Sequence, residues 1–227
     1  MQKTSIYSLL FIFLFCIFNI NVYAETPNYS WRVSDLARSP VEKIELRNKQ
    51  DRIIRIVSAK QMIYLHTAMS GIAEATEINA EFIIVDGELA NAFVFSRGKG
   101  QSYVAINFGM LDILDTNLDM AAALIGHELA HIKLKHSEIG KKSIALNQRK
   151  RFSAANTRYS RDNERDADYL GTIWAVEAGY SPDGAVALQE ALYKLSKKIS
   201  SSSFSISHPS SIERVTVLKS LARRLKR

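Results

Sequence analysis

The sequence predicts a mostly helical α+β domain built around one small sheet. Three observations carry that prediction. Apolar residues recur at helical spacing through 50–79, 117–135, 161–178, 182–199 and 209–225. Three short β-favouring runs with turn signals lie between the first two of these stretches. The composition is that of a globular chain, with 227 residues, 47% of them hydrophobic, and 30 Lys+Arg against 23 Asp+Glu, which excludes wholesale disorder. Only 4 Pro and 10 Gly are present, which excludes collagen-like or low-complexity architecture.

Residues 1–24 read as a signal peptide. Lys3 supplies a positive start, Ile6 to Phe18 is almost wholly apolar, and Val22-Tyr23-Ala24 ends in a residue suited to cleavage. The apolar run is shorter than the ~20 residues a spanning helix needs, and Asn19 and Asn21 interrupt its end. Phe15 is too bulky to precede a lipidated Cys16. Cleavage after Ala24 removes Cys16, the only cysteine, so the exported chain has neither a disulfide to form nor a thiolate to use. The expected location is the periplasm, with the protein soluble there.

Loss of Lys3 leaves 29 of the 30 cations against 23 acids, a net of +6. The excess clusters at Lys141, Lys142, Arg149, Lys150 and Arg151, at Lys194, Lys197 and Lys198, and at Arg223, Arg224, Lys226 and Arg227. Solvated helix faces account for such clusters. Export argues against a nucleic-acid partner and leaves peripheral contact with a membrane surface open. Nothing in the sequence states the oligomeric state.

Residues 25–49 read as an irregular lead-in containing Pro27 and Pro40, and 50–227 as the folded domain. From Gln50 to Asn79, Ile53, Ile56, Val57, Ile63, Met69 and Ile72 predict a helix. Phe82 to Val85 predicts a strand ending at Asp86-Gly87. Ala92–Phe95 and Tyr103–Ile106 predict a hairpin across Arg97-Gly98-Lys99-Gly100. The helix over 117–135 has Asp119 in its first turn and Lys133 and Lys135 in its last, matching the helix dipole. Gly179 stops the helix over 161–178, Ser181-Pro182 opens the next, and His208-Pro209 opens the last after a Ser-rich run.

The chemistry sits on the 117–135 helix, in His127-Glu128-Leu129-Ala130-His131. Positions four apart share a helix face, so the two imidazoles can grip one Zn²⁺ at ~2.0–2.1 Å. Glu128 then reaches the place of an activated water, the arrangement for metal-assisted hydrolysis with a carboxylate base. Two surface histidines are the alternative. Ala121 to Ile125 and Leu129 make this helix too apolar for that, because buried imidazoles and a carboxylate need partners. Gly and His are absent from positions 134 and 137, which hold Leu134 and Ser137, so the metzincin ligand set is excluded. His136, nine residues from His127, falls about 180° round a continuous helix and is read as a surface residue. The third ligand is expected from Asn163-Glu164-Arg165-Asp166-Ala167-Asp168, with Glu164 on the metal and Asp168, one turn on, accepting the second ring N–H of a ligating histidine.

Together these motifs resemble the gluzincin metallopeptidases and are most similar to the HtpX-like family, which includes the type-one CAAX prenyl proteases and soluble periplasmic members. Asn91-Ala92-Phe93 resembles the family's strand beside the cleft, Asn107 to Leu111 the passage after it, and His208-Pro209 with Arg214 its late His-Pro and Arg pair. The resemblance spans about residues 50–225. It implies a zincin-type domain with the small sheet packed on the active-site helix. It also implies one Zn²⁺ per chain held by His127, His131 and Glu164, with Glu128 as general base of an endopeptidase. Arg214 or His208 would stabilise an oxyanion or serve structure alone, or His208 would occupy the fourth zinc position and hold the enzyme latent. Substrate would add along Asn91, Ala92 and Phe93 as an extended strand. Unfolded envelope proteins are the implied partners, in quality control. The alternative is a zinc-binding, chaperone-like module that does not cleave. The sequence departs from the family in lacking the transmembrane helices of its CAAX and HtpX members.

Overall fold

The computed structural model describes residues 28–97, 100–136, 154–198, 208 and 211–226. The signal-peptide segment, the basic cluster at 141–151 and the Ser-rich run before His208 lie outside the described residues. Strand β1 (Ser30–Arg32) leads into a single turn, α1 (Val33–Leu36). A two-stranded ribbon follows, β2 (Lys43–Arg47) and β3 (Ile53–Ser58), and then α2 (Ala59–Thr76). Next come β4 (Ala80–Val85), β5 (Ala92–Arg97), β6 (Gln101–Asn107) and α3 (Phe108–Leu114). The remaining helices are α4 (Leu118–Lys133), α5 (Ala154–Glu177), α6 (Asp183–Lys198) and α7 (Ile212–Leu225).

The main sheet has the order β1-β4-β6-β5. β4 runs parallel to β6, and β1 and β5 run antiparallel to their neighbours. Alternation of side chains divides its two faces. Phe82, Ile84, Val104 and Ile106 pack with Met62, Leu65 and Ile72 of α2 and Leu124, Ile125 and Leu129 of α4. On the opposite face Ile83, Val85 and Ala105 sit under Phe93, Phe95 and Tyr103, with Phe95 stacked on Tyr103 at 5.1 Å. This is the predicted α+β architecture, with the sheet packed against the helix that carries His127.

Two expectations change. The lead-in is structured: Ser30–Arg32 pairs with Ile83–Val85 as an outer strand, and Lys43–Arg47 pairs with β3. The helix expected from Gln50 begins only at Ala59. Ile53, Ile56 and Val57 fit helical spacing, but they belong to a β-branched run whose pairing with β2 settles the conformation. The last helix also starts later than expected, at Ile212, with the Ser211 side chain capping it by accepting from the Arg214 N–H.

Helix α4 is the centre of the molecule. Every residue from Met120 to His131 is buried, and Asn117 caps its start by accepting from the Met120 N–H at 3.0 Å. α5 crosses it where two glycines meet. A Cβ on Gly126 would overlap the Gly171 carbonyl, and one on Gly171 would overlap the backbone of His127. This near-contact of two backbones brings the histidines of α4 against the acids of α5.

Candidate functional site

His127, Glu128 and His131 project from the last two turns of α4, and Glu164 and Asp168 from α5, one turn apart. His208 enters from the approach to α7, and Arg214 from that helix's first turn. All seven are buried except His208, which is partly exposed.

Four residues turn ligand atoms toward one point: His127, His131, Glu164 and His208. His127 Nε2 lies 3.0 Å from His131 Nε2 and 3.3 Å from His208 Nδ1. Glu164 places Oε2 3.5 Å from His127 Nε2 and Oε1 3.4 Å from His131 Nε2. His208 Nδ1 is 2.8 Å from Glu164 Oε1. Ligands at ~2.0–2.1 Å in a tetrahedron are about 3.3 Å apart, so the set fits one zinc ion. Nitrogen and oxygen donors without sulfur also suit a catalytic zinc.

Glu128 is fully buried, and neither of its oxygens has a hydrogen-bond partner among the described residues. His208 Nε2 lies 3.5 Å from its Oε1. An ionisable group buried in this way needs a bound polar species or a reaction to account for it.

A second set of contacts stands behind the ligand atoms. His127 Nδ1 lies 3.0 Å from Asp168 Oδ1, the placement expected of Asp168. Arg214 donates from Nε and Nη2 to the two Asp168 oxygens, each at 2.7 Å, while its Nη1 is 2.8 Å from Glu164 Oε2. All three guanidinium nitrogens therefore engage carboxylates. These contacts favour the structural alternative for Arg214, in which it holds Asp168 and Glu164.

Electrostatics follow from this packing. Burial opposes charge on His127, but hydrogen bonding to Asp168 and Glu164 outweighs it and raises the ring to about 10. Burial and the neighbouring histidines hold His131 far below the ordinary value. Burial disfavours charge on Glu164 too, yet His208 and His127 keep its carboxyl well below the usual range.

Of the strand residues expected to meet substrate, Asn91 and Ala92 line the cleft beside His127 and Glu128. Phe93 does not. It is one step along the strand, so its side chain points to the opposite face, against Ile83, Val85 and Ala105. Asn107, at the end of β6, sets this entry to β5: its Oδ1 accepts from the N–H groups of Asn91 and Met110.

His136 is the residue that sequence reasoning misplaced. It is buried, with Nδ1 2.8 Å from His131 Nδ1 and the rings edge-on at 72°. The argument from helical spacing fails because α4 ends at Lys133 and Lys135 adopts φ 55°, turning the chain back. The cleft itself was also not legible. Its walls are mostly apolar, with Ala123, Leu124, Leu188, Leu192 and Leu218 among the lining residues.

The model of Peptidase family M48 matches residues 59–155 and 139–222 of this chain. A protease HtpX homologue of Thermococcus kodakarensis is 30% identical over 156 residues, 63% of this chain and 52% of that protein. One of Trichormus variabilis is 28% identical over 185 residues, 78% of this chain and 59% of that protein. The mitochondrial metalloendopeptidase OMA1 of Arabidopsis thaliana is 28% identical over 134 residues, covering 52% of this chain and 27% of its own. The chain thus spans about half the length of the HtpX homologues it matches. Among solved structures, S. mikatae Ste24p is similar over 82% of this chain and 55% of its own, at 14% identity and a TM-score of 0.39.

Proposed function

Because this chain belongs to peptidase family M48, we propose that it is a zinc-dependent endopeptidase that cuts extended or unfolded polypeptides in the cell envelope. The observation that carries this reading is Glu128, a buried carboxylate without a hydrogen-bond partner among the described residues, beside a ligand set spaced for one zinc.

In this reading His127, His131 and Glu164 hold the ion. Zinc, when bound, lowers the pKa of a water toward ~7 and polarises the substrate carbonyl. Glu128 would be the proton carrier, its carboxylate taking a proton from the attacking water and passing it to the departing nitrogen. Asp168 holds His127 by its second ring nitrogen, and Arg214 holds Asp168. The substrate runs as an extended chain along Asn91 and Ala92, which line the cleft at the start of β5. A side chain next to the scissile bond enters the apolar cleft. Recognition through main chain favours unfolded segments, which is why quality control of envelope proteins is the proposed role. Residues 1–24 would direct export to the periplasm. Among the described residues no helix is long and apolar enough to cross a membrane.

His208 has a second part in this proposal. At 2.8 Å from Glu164 Oε1 and 3.3 Å from His127 Nε2, it stands where a fourth ligand would. Catalysis needs that position open, so His208 is read as a latch that must leave before substrate enters.

The test is cleavage of an unfolded and a compact protein by the purified, zinc-loaded wild type, Glu128→Gln and His208→Ala. The wild type should cut only the unfolded chain, Glu128→Gln should cut neither, and His208→Ala should cut faster than wild type. Equal cutting by Glu128→Gln would remove the base assignment. Cleavage by none of them, with zinc still bound, would favour a chaperone-like binding module. Unchanged or lower activity in His208→Ala would end the latch.

A further inference from the structure

The two histidines on α4 are backed differently. His127 turns Nε2 to the ligand cluster and Nδ1 to Asp168 at 3.0 Å. His131 also turns Nε2 to the cluster, but its Nδ1 meets a third imidazole, His136 Nδ1, at 2.8 Å. A histidine that ligates through Nε2 keeps its proton on Nδ1 and must place that proton on an acceptor. His136 Nδ1 is at hydrogen-bond distance, and both rings are buried, so water does not readily substitute for it.

We propose that His136 is the positioning residue for His131, accepting the His131 Nδ1–H on its own Nδ1 and carrying its own proton on Nε2. The proposal rests on the reading that His131 is a zinc ligand. The fold supports it independently of spacing: the left-handed Lys135 exists between the two rings and swings His136 back under His131. Charge explains why an imidazole serves here. With zinc bound, its charge and that of Arg214 would balance the carboxylates of Glu128, Glu164 and Asp168. A further carboxylate behind His131 would leave the buried cluster net negative, at a desolvation cost. A neutral imidazole fixes the tautomer and ring angle of His131 and adds no charge.

The experiment is zinc competition against a chromophoric chelator, using the purified wild type, His136→Asn, His136→Gln and His136→Leu. The Asn amide oxygen reaches the place of Nδ1, and the longer Gln side chain does not put it there. Expected is a 10–100-fold loss of zinc affinity in the Leu and Gln variants, with Asn near wild type. Nitrogen-15 NMR of the zinc-loaded protein should find His131 protonated on Nδ1, in a hydrogen bond present in wild type and Asn and lost in Leu. Affinities of Leu and Gln equal to wild type, or Asn as weak as Gln, would overturn the proposal. Urea unfolding of the chelator-treated proteins separates loss of fold. If Leu does not fold, the contrast between Asn and Gln decides. A wild type that binds no zinc would instead sink the reading of the site on which this rests.

Discussion

Asp168 and Glu164 bring two carboxylates into the interior, and Arg214 is the cation that meets both. Burial by itself would raise the Asp168 pKa, but the hydrogen bonds and charge of Arg214 outweigh it and hold the carboxyl below the usual range. A group depressed in this way stabilises the folded state above its unfolded pKa, about 4 for Asp, and that stability is lost as pH falls through the folded value. Arg214→Met leaves both acids buried without their cation, and breaking a buried pair from one side costs about 3–5 kcal/mol. The expected outcome is a chelator-treated variant that unfolds at much lower urea than wild type at pH 7. The gap should narrow as the pH is lowered past 4, because protonated Asp168 no longer needs the guanidinium. A gap independent of pH would mean that Arg214 contributes packing rather than charge.

At the scale of elements, the site is made by one crossing. α4 and α5 approach backbone to backbone at Gly126 and Gly171, and the four groups His127, His131, Glu164 and Asp168 meet because of it. Gly171→Val puts side-chain atoms where the His127 backbone already is. The helices must separate, at an overpacking cost of about 1–3 kcal/mol, and Glu164 must retreat from the histidines. Both a lower urea midpoint and weaker zinc binding are expected, and a variant with neither would show that the crossing is looser than the glycine contact implies. This crossing also marks what could be read beforehand. His127, Glu128 and His131 were legible because their relation is local, set by 3.6 residues per turn. Glu164 and Asp168 were legible for the same reason within α5, and burial of α4 demanded a partner for its histidines. Spacing misled where the chain left the regular form. Lys135 broke the period that placed His136, and pairing with β2 turned Ile53–Ser58 into a strand despite apolar positions that also suit a helix. The three-residue β1 has too few side chains to announce itself, and it forms by pairing with β4.

For the whole molecule, the question is what the assembled cleft selects. Its walls come from segments distant in sequence, β5, α4, α6 and α7, which is why no single stretch of the chain announced it. Ala123 sits one turn before His127 on the cleft wall, packed with Ala185 and Leu218. With Leu124, Leu188 and Leu192 it gives the cleft an apolar lining beside Glu128. The expected preference is therefore a bulky apolar residue adjacent to the scissile bond. Its transfer from water into the cleft is the gain, and a charged residue there would be desolvated without a partner. Ala123→Leu crowds the wall it shares with Ala185 and Leu218 and so narrows the cleft. In an apolar pocket each methylene gained or lost is worth about 10–200-fold in discrimination, so kcat/KM for a peptide with Leu or Phe at that place should fall by at least about tenfold, the low end of that range. The matching peptide with Ala should be cut nearly as before, and its retained cleavage also establishes that the variant is folded. Cleavage sites mapped on an unfolded protein should shift the same way, from large apolar residues toward small ones. If the wild type cuts beside acidic, small and bulky residues alike, the cleft does not read side chains, and specificity rests on the extended main chain laid along Asn91 and Ala92.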